Sequence, residues 1–293
     1  MTNSIEDFSE ILRRDEPMSQ HTWLRLGGPA DYFLTPRTQE ELVAVVGACR
    51  AAGVPIHILG GGSNILCREE GVRGAVIRVA EPLLGEITID GTTLTAGGGA
   101  LLSHVVSEAV RAGLGGIEHL VGIPGTLGGA IVGNTGGRHG DIGQVISGVT
   151  VLTQDGNVAV RREDELSFAY RQSNIQDILV LSATLQLTAD QTEELTRRMR
   201  KNWILKRSTQ PLADQSAGCI FRNPRGLSAG SLIEQSGLKG VTVGKARISD
   251  RHANFIVTDD GATADDVQQL MERIRAAVAE KFDIELEPEI RVW

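Results

Sequence analysis

Apolar positions along this chain switch between two periods, and the switches mark its elements. QEELVAVVGACRAA (39–52) carries apolar residues at helical spacing behind the capping box Thr38-Gln-Glu-Glu41, which predicts an amphipathic helix. ALLSHVVSEAVRAG (100–113) repeats the pattern, as does ADDVQQLMERIRAAVAEKF (264–282) behind Thr263. TADQTEELTRRMRKNWILKR (188–207) predicts a charged helix bridging two regions, and AGSLIEQSG (229–237) a short one. Short apolar or alternating runs predict strands at VPIHIL (54–59), AVIRV (75–79), ILVLSATLQL (178–187), NFIVT (254–258) and ELEPEIRVW (285–293). Hairpins are expected around Gly91 and at Asp155-Gly156. Helices and strands mix throughout without a long βαβαβ run, so the fold class is α+β, with a smaller C-terminal domain.

Composition narrows the function. The 293 residues carry a formal net charge of -8, which disfavours a nucleic-acid surface but leaves room for a local basic pocket around a small anion. The opening MTNSIEDFSEILRRDE lacks the apolar stretch of a signal peptide, and no apolar run reaches membrane-spanning length. Three cysteines, Cys49, Cys67 and Cys219, form no CxxC pair, and the six histidines form no HxxxH or HExxH pair. A reducing cytoplasm and the absence of a metal centre are the expectations.

Glycine changes the picture most. There are 35, and thirteen fall between Gly113 and Gly148. Triplets stand at Gly60–Gly62 and Gly97–Gly99, directly after or within strand-like runs. Such clusters suit either tight turns or a backbone cradle for a phosphate-bearing cofactor. No G-x-G-x-x-G occurs, so the dinucleotide fingerprint is missing. GVTVGKA (240–246) fails as a P-loop, with one residue too few and Ala246 where Ser or Thr should hold magnesium.

Several blocks then stand in a telling order: HTWLRLGGPADYF (21–33), ILGGGSNIL (58–66), GIEHLVGIPGTLGGAIVGNTGG (116–137), FAYRQS (168–173), SAGCIFRNP (216–224), LIEQSGLKG (232–240) and LEPEIR (286–291). Together they resemble the UDP-N-acetylenolpyruvylglucosamine reductase family, in its second, shorter type. The resemblance implies a vanillyl-alcohol-oxidase/PCMH-type FAD-binding region over residues 1–200, in two lobes of about 1–80 and 81–200. A substrate-binding α+β domain over 201–293 follows, its last strand returning a glutamate to the flavin site. It also implies NADPH as hydride donor, a UDP-sugar nucleotide substrate, a role in peptidoglycan precursor synthesis, and a cytoplasmic monomer or weak oligomer without nucleic-acid or membrane partners.

The resemblance carries site residues with it. Gly60, Gly61, Gly62, Ser63 and Asn64 match the loop whose amides meet the FAD diphosphate. Pro124, Gly125, Gly128, Gly129 and Asn134 match a second flavin-contacting loop, and Arg291 matches a flavin-ring contact. Arg171 matches the arginine of a Tyr-Arg pair, suited to fork onto a carboxylate, and Tyr170, Arg222 and Asn223 fall among the substrate contacts. Spacing alone does not choose among Glu285, Glu287 and Glu289; the motif register selects Glu289 as the carboxyl near the developing enolate. Most relatives place serine, as proton donor, where this chain has Cys219. A thiol is a stronger acid than an alkyl hydroxyl and reaches about the same point, so it is a sensible donor; otherwise it is a small packing residue. The chain departs from the family pattern at Arg138-His139, where an aromatic is usual, and at Thr209, where lysine is frequent, with Lys206 or Arg207 as stand-ins. The alternatives are another flavoprotein oxidase or dehydrogenase of the same fold, or a non-catalytic flavin-binding protein.

Overall fold

The computed structural model describes residues 4–293, so the first three residues of the acidic opening segment lie outside it. The chain folds into two compact units. The first takes the residues up to Arg14, Tyr32–Gly61 and Gly74–Leu205; the second takes Asp15–Asp31, Gly62–Arg73 and Lys206–Trp293. Neither is contiguous in sequence. This differs from the expected division near residue 200, because two early segments, including part of the glycine loop after residue 60, belong with the C-terminal third.

In the first unit, α1 (Gln39–Ala51) begins as its capping pattern predicts. The Thr38 hydroxyl accepts from the Glu41 N–H, Glu40 and Glu41 fill the first turn, and Arg50 sits in the last. Leu42, Val45, Val46 and Cys49 face a core that also holds Ala75 and Ile77, from a strand paired in parallel with Ile56–Leu59. A second core lies under a five-stranded antiparallel sheet. Its order is Val158–Arg162, Ile146–Leu152, Leu179–Gln186, Thr93–Gly97 and Ile87–Asp90. The two outer hairpins turn at Gly91 and Gly156, both at positive φ. Leu102, Val105, Val106 and Ala109 of α2 (Leu102–Arg111) join this core, as do Leu127, Ala130 and Ile131 of α3 (Leu127–Val132). The glycine-rich run gave no sign of α3, since glycine opposes helix formation.

The helix α4 (Thr192–Thr209) carries the chain from the first unit into the second. It buries only Leu195, which packs where a Gly115 side chain would be: a Cβ there would lie 2.8 Å from Leu195 Cδ2. Its polar anchor is Arg198, whose Nε donates to Glu118 at 2.9 Å and whose Nη2 donates to Asp190 at 2.6 Å.

In the second unit, α5 (Ala229–Gln235) and α6 (Ala264–Phe282) pack on a four-stranded antiparallel sheet ordered Gln215–Ser216, Ile256–Thr258, Ala246–Ile248 and Thr242–Val243. Thr263 and Asp266 form a capping box on α6. The rejected P-loop segment is the hairpin of this sheet, turning at Gly244-Lys245. The final strand is much shorter than expected. Arg291–Val292 pair in parallel with Ile65–Leu66, and before them a single antiparallel bridge joins Pro288 to Phe221.

The anchor of α4 titrates. Burial pushes the Glu118 carboxyl up, but hydrogen bonds from the Gly116 N–H, its own N–H and Arg198, with the Arg198 charge, outweigh it and hold the group below the ordinary carboxylate range. A depressed folded-state value stabilises the fold above the unfolded value and is lost as pH falls through the folded one. Glu118→Gln is therefore expected to cost about 1 kcal/mol at pH 7. Urea unfolding should show that difference shrinking as the pH drops below about 4.

Candidate active site

The second unit brings Cys219, Glu289, Asn64 and Arg291 together through backbone ties. The Glu289 N–H donates to the Ile220 carbonyl at 2.7 Å, next to Cys219, and the Asn64 side-chain amide donates to the Glu289 carbonyl at 3.2 Å. The Arg291 N–H donates to the Asn64 carbonyl at 3.1 Å. Two residues beyond Ile220, the Arg222 N–H donates to the Glu287 carbonyl at 2.9 Å. Glu289 thus has its peptide held from both sides by segments distant in sequence. It is half-buried, whereas Glu285 and Glu287 are exposed and paired with Arg275 at 2.8 Å and Arg222 at 3.6 Å. Of the three glutamates that spacing left open, Glu289 is the one partly withdrawn from solvent.

Behind Cys219 stands a residue that the sequence reading missed. Asn254 is 2% exposed. Its carbonyl accepts from the Ile220 N–H at 2.9 Å, its Oδ1 accepts from the Phe221 N–H at 3.0 Å, and its Nδ2 donates to the Phe221 carbonyl at 2.7 Å. The available signal was an amide leading an apolar strand, NFIVT; a polar residue there is buried only if it is hydrogen-bonded. Cys219 itself is half-buried and follows Gly218 at positive φ. Cys49 and Cys67 are buried, and burial pushes both thiols up to about 11. Arg222 keeps its Nε buried without a hydrogen-bond partner, and its contact with exposed Glu287 is of a kind worth under about 1 kcal/mol. The Asn223 Oδ1 accepts from the Ala229 N–H at 2.9 Å, steadying the start of α5.

In the second unit Gly62 sits at φ +66, and a Cβ there would lie 2.0 Å from the His21 carbonyl oxygen. Ser63 is half-buried and Asn64 exposed. In the first unit, Gly60 and Gly61 run against the second glycine loop. A Cβ on Gly60 would lie 2.5 Å from Thr126 Oγ1, and one on Gly61 would lie 2.9 Å from Gly125 Cα. Gly128 donates to the Gly98 carbonyl at 2.8 Å, while Pro124 and Gly129 are exposed. Two loops with bare backbone at their closest approach fit a cofactor recognised by peptide groups instead of lysine side chains.

Tyr170 and Arg171 form the tip of a hairpin that pairs Phe168–Ala169 with Gln172–Ser173. Arg171 has a left-handed φ of 57°, and its guanidinium lies 5.2 Å from the ring centre of half-exposed Tyr170. Asn134, expected at the cofactor, is only 1% exposed. Its Nδ2 donates to the Ala169 carbonyl at 2.8 Å and its Oδ1 accepts from the Gly143 N–H at 3.0 Å, so the side chain serves the scaffold of this hairpin. Arg138 and His139 are the exposed turn of a small hairpin between Gly136–Gly137 and Gly140–Asp141.

Comparison with known proteins agrees with this architecture. A family model described as an FAD binding domain matches residues 30–161, and one described as the UDP-N-acetylenolpyruvoylglucosamine reductase C-terminal domain matches residues 210–293. The UDP-N-acetylenolpyruvoylglucosamine reductase of Moorella thermoacetica is 43% identical over 280 residues, 95% of this chain and 92% of that protein. The crystal structure of the reductase from Thermus caldophilus superimposes with a TM-score of 0.83 at 39% identity, covering 96% of this chain and 99% of that one. Phl p 4.0202, a glucose dehydrogenase, shares the fold alone, with a TM-score of 0.51 at 15% identity over 64% of this chain and 44% of its own. The expected combination of an FAD-binding domain and an α+β C-terminal domain is borne out, and the class is that of two-domain flavoprotein reductases. Within that class, the chain belongs to the UDP-N-acetylenolpyruvoylglucosamine reductase family.

Two outcomes follow from this geometry. A thiol reagent added to the native protein is expected to modify Cys219 well before Cys49 and Cys67, and Cys219→Ser should abolish the fast phase, read by mass spectrometry. Asn254→Ala leaves two buried peptide groups without partners and is expected to destabilise the second unit by about 2–3 kcal/mol in urea unfolding.

Proposed function

We propose that this chain reduces UDP-N-acetylglucosamine enolpyruvate to UDP-N-acetylmuramate, with FAD as cofactor and NADPH as co-substrate, in peptidoglycan precursor synthesis. The observation that supports the residue assignments is the backbone tie between Glu289 and Ile220, which brings the Glu289 segment to the residue after Cys219 within one unit. No helix among the described residues is long and apolar enough to cross a membrane, and we place the enzyme in the cytoplasm as a monomer or weak oligomer.

FAD, when bound, supplies the hydride chemistry, and the protein supplies binding and electrostatics. Gly60, Gly61, Gly62, Ser63 and Asn64 would hold its diphosphate, Pro124, Gly125, Gly128 and Gly129 its second contact, and Arg291 its ring system. Arg171 forks onto the substrate carboxylate and offsets the negative charge that gathers there during reduction. The Glu289 carboxyl donates a hydrogen bond to the same developing enolate. The Cys219 S–H transfers its proton to the adjoining carbon, and solvent restores the thiol. Tyr170, Arg222 and Asn223 position the sugar nucleotide, and the unpartnered Arg222 Nε supports a place for an anionic group beside it.

Separating the two halves of turnover tests these roles. Under anaerobic conditions NADPH should bleach the flavin band of Arg171→Ala, Glu289→Gln and Cys219→Ala at nearly the normal rate. Recovery of the band or formation of product with the enolpyruvyl substrate should slow about 100-fold or more in each, roughly 3 kcal/mol of transition-state stabilisation. Cys219→Ser should retain most of the activity. Unchanged turnover in Cys219→Ala would move the proton donor elsewhere, and a parent protein that bleaches but never recovers would sink the substrate assignment.

A further inference from the structure

Arg171 is carried on a two-residue turn, and a turn of that kind is mobile unless its strands are pinned. Both strands of this one are pinned to the same place, the C-terminal end of α3. The Ala169 carbonyl, immediately before the turn, receives the Asn134 Nδ2 at 2.8 Å. On the other strand the Ser173 hydroxyl donates to the Val132 carbonyl at 3.0 Å. Asn134 is itself locked, because its Oδ1 holds the Gly143 N–H at 3.0 Å and its own N–H donates to the Ile131 carbonyl at 3.0 Å. Gly143 can carry no side chain, since a Cβ there would lie 2.4 Å from Phe168 Cγ and 2.9 Å from Asn134 Oδ1. Phe168, the first residue of the hairpin, is therefore seated on the same small platform.

Asn134 adopts φ 41°, a left-handed conformation that asparagine tolerates better than most residues and glycine tolerates freely. It is 1% exposed, and its amide bridges two peptide groups from separate segments, one donor and one acceptor. An aspartate of the same shape would present an oxygen to the Ala169 carbonyl and lose that donor. Residue type, backbone conformation and position all fit a clamp on the turn that presents Arg171.

We propose that Asn134 is a positioning residue for Arg171, holding its hairpin to the end of α3 so that the guanidinium is preset for the substrate carboxylate. The proposal rests on the assignment of Arg171 to that carboxylate. A hydrogen-bonding partner that fixes a catalytic side chain's backbone acts on the step the side chain serves and leaves other steps alone.

The test is Asn134→Gly, which keeps the left-handed backbone and removes only the amide, studied alone and combined with Arg171→Ala in the FAD-loaded enzyme. FAD content and the rate of bleaching by NADPH are expected within twofold of the parent. Recovery of the flavin band with UDP-N-acetylglucosamine enolpyruvate should slow at least tenfold, and amide hydrogen exchange over residues 169–174 should accelerate. In the Arg171→Ala background the same change should cost less than twofold, the non-additive result expected of two residues acting as one unit. Asn134→Asp should resemble Asn134→Gly. Normal recovery in Asn134→Gly, or effects that multiply with those of Arg171→Ala, would overturn the proposal. Loss of FAD would overturn it as well and return Asn134 to the cofactor. Normal recovery in Arg171→Ala itself would remove the underlying assignment, whereas a slow Arg171→Ala beside a normal Asn134→Gly removes only the positioning role. Should Asn134→Gly not accumulate as folded protein, Ser173→Ala removes the other tie and is read by the same criteria, with about a threefold slowing expected.

Discussion

A carboxyl group that must meet one particular carbon needs its peptide fixed, and around Glu289 that constraint is met by chain segments far apart in sequence. Ile220 takes its N–H, Asn64 gives an amide to its carbonyl, and Arg291 returns an N–H to Asn64. A long strand would have fixed the segment with a ladder; here a single antiparallel bridge between Pro288 and Phe221, with a few discrete ties, does that work. The consequence is that the glycine-loop asparagine, the cysteine segment and the C-terminal glutamate share one hydrogen-bonded frame. Disturbing any one of them moves the others.

Both units use the same device at their functional loops: a buried asparagine whose side chain imitates a neighbouring strand. Asn254 offers its carboxamide to the N–H and carbonyl of Phe221, and Asn134 bridges Ala169 and Gly143. Asparagine suits this because one side chain presents a donor and an acceptor at peptide-like geometry. A buried amide left half-satisfied costs more than it contributes when paired, so each of these residues constrains the loop it touches more tightly than an apolar residue would.

The sequence pattern was legible wherever a local signal and the final packing agree. Thr38 and Thr263 mark real caps, the 264–282 periodicity is a real helix, and Gly91 and Asp155-Gly156 are real turns. It was not legible where tertiary contacts overrule the local signal. The helix α3 forms in glycine-rich sequence because Leu127, Ala130 and Ile131 are buried. ELEPEIRVW alternates like a strand but forms only one bridge, at Pro288, before a two-residue ladder near its end. The family resemblance supplied the reading of Arg171 and Glu289 that no spacing rule supplies, yet it gave no hint of Asn254. For Asn134 it pointed outward to a ligand, whereas the fold turns the side chain inward to a hairpin.

The discontinuity of the second unit also has a consequence for the order of events during synthesis. Residues 15–31 and 62–73 leave the ribosome long before their partners: the Leu24 carbonyl waits for the Thr258 hydroxyl, and the Arg68 N–H for the carbonyl of Trp293. At typical elongation rates that interval is on the order of ten seconds. The nascent chain must therefore keep apolar Leu24, Leu26 and Leu66 from wrong partners while the first unit is already able to gather its own core. No single cut in the gene separates the two units, so this enzyme is inherited and assembled as one piece even though its mass is divided in two.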